Sequence, residues 1–134
     1  MKKVYICSPL RGDITGNIER AINYCKEAEE EDVLPIAPHI YFTRFMDDTI
    51  PEKRERAMKM GIELLDMCDE LWIYGDTISE GMRAEIDYFE EHYNRKIAYK
   101  NNEQDKLYDL SNLFSEIFET NIKFVDVTNE ASNE

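Results

Sequence analysis

The sequence predicts an α/β protein, a single domain in which a mostly parallel sheet of about five strands carries helices on both faces. Short apolar segments rich in β-formers alternate along the chain with longer segments of helical periodicity. The length of 134 residues suits one domain. The apolar share of 43% suits a folded core rather than a disordered chain. We assign residues 1–127 to the domain and residues 128–134 to a polar tail.

The first half of the chain predicts two strands separated by a helix. Residues 4–8, VYICS, are short and apolar and form the first strand. Apolar residues then recur at helical spacing over about 15–31. Residues 33–38, VLPIAP, form a second strand, and their two prolines restrict it to a short or edge position. Residues 39–48 favour no single element.

The second half of the chain continues this alternation. The TIPE segment at 49–52 has the T-x-x-E pattern of a helix start, and the helix that it opens ends near Asp69. A third strand follows at 71–75, a helix at 79–95 and a fourth strand at 96–100. The remaining chain predicts a last strand at 122–127, preceded by a helix marked by Leu107, Leu110, Leu113, Phe114 and Ile117.

Two loops at the ends of strands form the predicted ligand site. In such folds ligands bind beyond the carboxyl ends of the strands, where the strand order reverses. The first loop, SPLRGD, offers Ser8, Arg11 and Gly12. Arg11 either clamps a phosphate or pairs with Asp13 on the surface. The second loop, DTISEG, leads into the third helix, and His39 follows the second strand toward the same edge, although a lone histidine is more often structural.

Helical phase separates the three acids of the segment TISEGMRAEIDYF. At about 100° per residue, the stripe that faces the sheet consists of Met82, Ile86, Phe89 and Tyr93. Glu80 and Asp87 fall away from this stripe, whereas Glu85 lies beside it and near the helix N-terminus. A carboxylate that is partly desolvated at the mouth of a site suits acid, base or nucleophile chemistry. The alternative is a boundary glutamate in a surface hydrogen bond.

The start of that helix is also a predicted anion site. Ser79 and Gly81 lie where free backbone N–H groups attract anions, and the glycine leaves room for a phosphate or a sugar. The structural alternative is a capping box in which Thr77 caps the helix and Glu80 completes the box. Both interpretations can hold together.

Three further side chains are candidates for the site. Tyr5 lies in the first strand on the same face as Cys7, a position where most tyrosines are core residues. Asp69 lines up with the apolar face of the preceding helix, so we expect it to point toward the interior or the sheet edge. Asp66 and Asp69 are otherwise residues of a helix-to-strand turn.

Charge and cysteine content exclude several classes of function. The net charge of −13, from 29 acids and 16 bases, argues against a nucleic-acid polymer as partner and permits a small nucleotide. The three cysteines form no CxxC motif, so we expect neither a disulfide framework nor a zinc site, and we expect a reducing cytoplasm. No apolar run reaches the length of a signal peptide or a membrane span, so we expect no membrane partner.

Three motifs stand in order on the predicted elements: YICSPLRG, VLPIAPH and CDELWIYGDTISEGMRAEI. Together they resemble the nucleoside 2-deoxyribosyltransferase superfamily, including its branch that hydrolyses 2′-deoxynucleoside 5′-monophosphates. The third motif places Asp69, Ser79, Gly81 and Glu85 in the order and spacing of that branch. The resemblance covers about residues 3–100 and implies a Rossmann/flavodoxin-like fold.

The resemblance implies cleavage or transfer of the N-glycosidic bond of a nucleotide or nucleoside through a glycosyl-enzyme intermediate. Glu85 would be the nucleophile, and Tyr5 would orient it. Asp69 or Asp66 would be a supporting acid. The implied contacts to phosphate or sugar are Ser8, Arg11, Gly12, His39, Ser79 and Gly81. No metal or organic cofactor is implied.

The resemblance also implies a homo-oligomer, a dimer or higher, because in the transferases a neighbour's C-terminal region completes the site. Two positions depart from the family pattern. Gly61 stands where an acid helps to protonate the leaving base, and Pro9 stands in place of a phosphate-binding serine. These departures favour an alternative function, a nucleotide-binding protein without turnover that senses or sequesters a nucleotide.

Overall fold

Strands and helices alternate through residues 1–100, the part of the chain that the computed structural model describes. In chain order the elements are β1 (Lys3–Cys7), α1 (Ile14–Glu29), β2 (Leu34–Ile36), α2 (Pro38–Phe42), α3 (Pro51–Asp66), β3 (Glu70–Ile73), α4 (Glu80–His92) and β4 (Lys96–Tyr99). The four strands form one parallel sheet, which confirms the predicted α/β class. The helix predicted around residues 107–117, the last strand at 122–127 and the tail at 128–134 lie outside the described residues.

The side chains of β1 divide the core into two layers, because successive residues of a strand point to opposite faces of the sheet. Val4 and Ile6 pack on one face with buried residues of α1. Tyr5 and Cys7 pack on the other face with buried residues of α3 and α4. The helices therefore cover both faces of the sheet, as the sequence predicted.

The strand order is β2-β1-β3-β4, so β1 lies inside the sheet with a parallel neighbour on each side. The chain moves from β1 outward to β2 and then crosses to β3 on the other side of β1. Such a reversal leaves a crevice at the carboxyl ends of the two strands concerned, here β1 and β3. Within residues 1–100, β2 is a short strand at the edge of the sheet, as its prolines predicted.

Helix α4 packs onto the sheet through the predicted apolar stripe. Met82, Ile86 and Phe89 are buried against the layer that contains Tyr5. Glu85 precedes Ile86 in the helix, so its side chain leaves α4 at the border of this stripe and reaches β1. The phase argument that singled out Glu85 therefore described the helix correctly.

Prolines begin the two helices that enclose the ambiguous segment. Pro38 is the first residue of α2 and Pro51 is the first residue of α3. Proline suits this position because its φ is already helical and its missing N–H would have no partner there. The T-x-x-E pattern at residues 49–52 predicted that Thr49 caps α3, and this was wrong. Ile50 precedes α3 without a capping side chain, and the Thr49 hydroxyl instead donates to Asp47 Oδ1 over 2.6 Å.

The N-cap of α4 is Ser79 rather than Thr77. The Ser79 hydroxyl oxygen accepts a hydrogen bond from the backbone N–H of Met82 over 3.2 Å. A serine in extended conformation satisfies one of the free N–H groups of the first turn, and this is why serine is favoured at N-caps. The cap offered by the structural alternative, Thr77, was therefore two residues too early, and the helix begins at Glu80, one residue after its predicted start.

Each of the three long helices α1, α3 and α4 buries one face and exposes the other. None of the helices within residues 1–100 is both long enough and apolar enough to cross a membrane. Cys7, Cys25 and Cys68 are all free thiols. Core packing, rather than disulfide cross-linking, therefore holds the described layers together.

Candidate active site

A cavity of about 500 Å³ opens at the carboxyl end of the sheet. Its walls come from the loop after β1, from α2, from the first half of α3 and from the start of α4. Eight of the predicted site residues line it: Tyr5, Ser8, Arg11, Gly12, His39, Ser79, Gly81 and Glu85. The two loops that the sequence singled out therefore meet at one site, next to the reversal of strand order.

The carboxylate of Glu85 is held by two donors from β1. The Tyr5 hydroxyl donates to Glu85 Oε2 over 2.7 Å, and the Cys7 thiol donates to Oε1 over 3.4 Å. Tyr5 and Cys7 are two residues apart in a strand, so both side chains emerge on the same face. Each carboxylate oxygen has its own donor, and this fixes the orientation of the group. Sequence reasoning noted that Cys7 shares a face with Tyr5 but gave it no role at the site.

Burial raises the pKa of Glu85 to about 7, against the opposing effect of the hydrogen bonds from Tyr5 and Cys7. A substantial fraction of Glu85 is therefore ionised near neutral pH, and a substantial fraction is protonated. Burial and the nearby charge of Glu85 raise the pKa of both Tyr5 and Cys7 well above the ordinary values. Both donors consequently keep their protons when Glu85 is ionised, so the hydrogen bonds to the carboxylate persist.

Asp69 lies at the edge of the sheet where β1 and β3 begin, whereas Glu85 contacts Tyr5 and Cys7 toward the carboxyl end of β1. Asp69 precedes β3, and its Oδ2 accepts a hydrogen bond from the backbone N–H of Lys3 over 2.8 Å, which lowers the pKa of Asp69. Of the two positions expected for Asp69, the interior was wrong and the edge of the sheet was correct, because α3 ends at Asp66 and helical phase does not extend beyond the helix. Asp69 is exposed and does not line the cavity.

Asp66 also lies outside the cavity. It is the last residue of α3, and its Oδ1 accepts hydrogen bonds from the hydroxyls of Tyr88 and Tyr93. Both hydrogen bonds lower the pKa of Asp66, and the hydrogen bond from Tyr93 has the larger effect. The carboxylate ties the end of α3 to the end of α4, which is a structural position. The structure does not bring either predicted supporting acid to Glu85.

Gly61 does lie in the cavity wall, at the position where the family resemblance led us to expect an acid. A Cβ atom on Gly61 would stand 3.6 Å from the Tyr5 hydroxyl oxygen and would meet no closer neighbour. The cavity wall beside Tyr5 therefore has a glycine where the resemblance implied a carboxylate, and a Cβ there would make an ordinary van der Waals contact with the Tyr5 hydroxyl. The lining acids other than Glu85 are Asp48 and Glu80.

Sequence reasoning missed four charged residues of the cavity wall, Asp48, Lys53, Arg54 and Glu80. Asp48 lies in the segment that favoured no element, and its Oδ2 is 3.7 Å from the Nε atom of Arg11. Lys53 and Arg54 belong to the first turns of α3. In the sequence they are ordinary charges of an amphipathic helix, and only the packing of α3 against α2 brings them to the cavity.

His39 and Ser8 meet at the wall formed by α2 and the loop after β1. His39 Nε2 lies 2.8 Å from the Ser8 carbonyl oxygen. Because a carbonyl only accepts, Nε2 carries the proton in this contact. Burial lowers the pKa of His39, against the opposing effects of the Ser8 carbonyl and Asp48. The Ser8 hydroxyl is buried in the same wall and has no hydrogen-bond partner within residues 1–100.

Buried hydroxyl groups normally have a partner, so the unsatisfied Ser8 Oγ is unusual for a folded protein. Its place in the cavity wall makes it a group that a bound molecule or water can satisfy. Within the described chain, no three His, Cys, Asp or Glu side chains are grouped as the ligands of a metal ion would be.

The raised pKa of Glu85 predicts a specific dependence of stability on pH. Between the ordinary pKa of a glutamate and about 7, the folded state holds a proton that the unfolded state has released, so stability falls as pH rises through this range. Glutamine cannot ionise, and Glu85→Gln should therefore be more stable relative to the native chain at pH 8 than at pH 5. We expect the gain in unfolding free energy of Glu85→Gln over the native chain to be about 2 kcal/mol larger at pH 8 than at pH 5.

Urea denaturation at the two pH values measures this separation. The matched control is Glu90→Gln, an exposed position on the same helix, which should have the same effect at both pH values. A Glu85→Gln effect that is equal at pH 5 and pH 8 would contradict the raised pKa.

Comparison with known proteins identifies a family but no function. No curated protein and no solved structure matches the chain. A family model matches residues 2–100, a span that includes every residue of the cavity wall. The chain belongs to the family whose description is a domain of unknown function, DUF7768.

Proposed function

We propose that the protein is an enzyme that cleaves or transfers the N-glycosidic bond of a nucleotide or nucleoside. The observation that carries this proposal is the Glu85 carboxylate, which lies in the cavity with one donor on each oxygen and a pKa raised to about 7. A carboxylate nucleophile in a two-step displacement needs a fixed orientation and an ionised form near neutral pH. Glu85 meets both requirements.

The proposed reaction has two steps. In the first, a Glu85 oxygen bonds to the anomeric carbon, the bond from that carbon to the base nitrogen breaks, and the base leaves with the electron pair and takes up a proton. In the second, water attacks the anomeric carbon and releases a proton to solvent, and the bond to Glu85 breaks, which restores the carboxylate. If another base attacks instead of water, the result is transfer. Tyr5 keeps the carboxylate oriented through both steps.

The polar end of the cavity suits a phosphate on the sugar. Arg11 supplies a guanidinium group there. The Ser79 oxygen accepts from the Met82 N–H, so its own hydroxyl hydrogen is free to be donated to a ligand. A Cβ on Gly81 would meet nothing within 4 Å, so the glycine leaves open space beside the helix start. Gly12 and the Ser8 hydroxyl line the same cavity.

The apolar part of the cavity wall suits the base. Phe42 and Met46 come from α2 and the segment after it, and Ile62 comes from α3. Ligand sites typically combine such apolar walls with a few polar groups that fix orientation. The leaving base needs a proton, which solvent in the cavity or the imidazole of His39 in its wall would supply.

One observation favours a second candidate function, a nucleotide-binding protein without turnover. Gly61 leaves the wall beside Tyr5 without the acid that the family resemblance implied. The same cavity could then hold a nucleotide and signal its presence. Stabilisation against heat by nucleotides, combined with no release of base, would support this second candidate.

We also propose that the enzyme is a homo-oligomer of a reducing compartment such as the cytoplasm. Tyr41 and Phe45, beside the cavity wall, are 63% and 59% exposed, and their ring centroids lie 5.1 Å apart. Exposed aromatic clusters of this kind often belong to protein interfaces. The three free thiols suit reducing conditions. Sedimentation velocity should give a dimer or higher species at micromolar concentration, and a monomer would contradict the proposal.

Glu85→Gln tests the nucleophile directly. Incubation with a panel of 2′-deoxynucleotides and nucleosides, followed by chromatography, should show base release by the native protein and none by the variant. A 2-fluoro sugar substrate, which slows the second step, should leave a mass adduct on the native protein only. The matched control is Asp87→Asn, an exposed acid of the same helix, which should retain activity and adduct. Unchanged turnover in Glu85→Gln would exclude Glu85 as nucleophile.

Tyr5→Phe tests the orienting hydrogen bond. The nucleophile must be ionised, so base release by the native enzyme should rise through a pH of about 7. Loss of the Tyr5 hydroxyl removes a hydrogen bond that lowers the Glu85 pKa, and the rise should move to higher pH by about one pH unit. Tyr88→Phe removes a hydroxyl that contacts Asp66 outside the cavity, so its pH profile should match the native one. Identical profiles for both variants would refute the role of Tyr5.

A further inference from the structure

Two positive side chains in the cavity wall have no partner among the described residues. Lys53 and Arg54 line the cavity, and neither side chain takes part in an ion pair or hydrogen bond within residues 1–100. The third lining cation, Arg11, already pairs with Asp48. The lining acid Glu85 is occupied by Tyr5 and Cys7. Lys53 and Arg54 are therefore lining cations without an ion pair among the described residues, and the third lining acid, Glu80, takes part in none of these ion pairs either.

The position of these cations in α3 is unfavourable for the helix alone. The helix begins at Pro51, so Lys53 and Arg54 lie within its first turns. The N-terminal end of a helix is the positive end of its dipole, and cations there are destabilising by several tenths of a kcal/mol each. A bound anion reverses the sign of this contribution, because it interacts favourably with both the side chains and the helix end.

The same cations line the cavity that contains the proposed phosphate contact, Arg11. Asp48 precedes α3 by a few residues and pairs with Arg11, so this ion pair joins the loop after β1 to the start of α3. Arg11, Lys53 and Arg54 all line the cavity, and we call these three cations its positive wall. If Arg11 and the start of α4 hold one phosphate of the ligand, Lys53 and Arg54 remain free to contact the further phosphates of the same ligand.

We propose, on the basis of the proposed function, that the preferred ligand is a nucleoside diphosphate or triphosphate, and that Lys53 and Arg54 bind its outer phosphates. Both side chain types are phosphate ligands, the ammonium as a compact charge and the guanidinium as a planar fork. The apolar wall receives the base, Glu85 faces the anomeric carbon, and the positive wall receives the phosphate chain. The site thus selects for phosphate number as well as for a nucleotide.

Calorimetric measurement of ligand binding tests this proposal. The protein is the full chain carrying Glu85→Gln, so that the ligand is not turned over during the measurement. The ligands are matched mono-, di- and triphosphates of each 2′-deoxynucleoside, with inorganic tripolyphosphate as a further arm. We expect the triphosphate Kd to be lower than the monophosphate Kd by about 10-fold or more. Adding Lys53→Ala and Arg54→Ala should raise the triphosphate Kd by about 10-fold or more and leave the monophosphate Kd within about 3-fold.

The matched control replaces Arg56 and Lys59 by alanine on the same background. Both are exposed cations of α3 that do not line the cavity, so the control removes equal charge from the same helix. It should leave the ratio of the two Kd values unchanged. Circular dichroism and thermal unfolding of both double variants establish that each is folded, so a change in Kd reports the site.

The outcomes separate this inference from the proposed function. Equal affinity for mono- and triphosphates overturns the inference, even where the native enzyme releases base from a monophosphate. A triphosphate preference that depends on Lys53 and Arg54, without any base release by the native protein, sustains the inference and refutes the enzyme. Equal affinity for tripolyphosphate and the nucleoside triphosphate overturns the nucleotide assignment, because the apolar wall would then contribute nothing. Binding of no nucleotide overturns both.

Discussion

The hydrogen bond between the Tyr5 hydroxyl and Glu85 organises the cavity end of the molecule. It joins the inner strand β1 to helix α4 through two residues that are 80 positions apart in the chain. The contact requires that β1 present Tyr5 toward the α3–α4 layer and that α4 place Glu85 at the border of its apolar stripe. Burial of the carboxylate between these elements raises its pKa, so one packing arrangement sets both the geometry and the ionisation of the group.

The cavity wall is richer in bases than the chain as a whole. The sequence carries 29 acids and 16 bases, whereas the cavity is lined by three bases, Arg11, Lys53 and Arg54, and three acids, Asp48, Glu80 and Glu85. Net charge describes solubility and long-range repulsion, whereas recognition depends on the few groups within hydrogen-bonding reach. The loop after β1 and the first turns of α3 bring these three bases to one cavity, and Asp48, which precedes α3, pairs with Arg11. An acidic protein can therefore offer a positive wall to a phosphate-bearing ligand.

The two supporting acids show where reasoning from helical phase fails. Phase was sound for Glu85, which lies in the middle of a helix with buried neighbours on one side. It failed for Asp69, because α3 had already ended and the backbone there follows the turn into β3. Asp66 keeps its place in the helix but points to the tyrosines of α4, at the far end from the cavity. Helix ends depend on local hydrogen bonding that periodicity does not report.

The sequence by itself determined the α/β class, the alternation of elements, the two loops of the site and the distinct position of Glu85. These follow from periodicities of two and 3.6 residues, which are properties of the local chain. Only the tertiary structure decided that Cys7 donates to Glu85, that Asp66 and Asp69 lie elsewhere, and that Lys53 and Arg54 line the cavity. Each of these depends on how α2, α3 and α4 pack around the end of β1. Contacts between residues that are distant in the chain leave no periodic trace in the sequence.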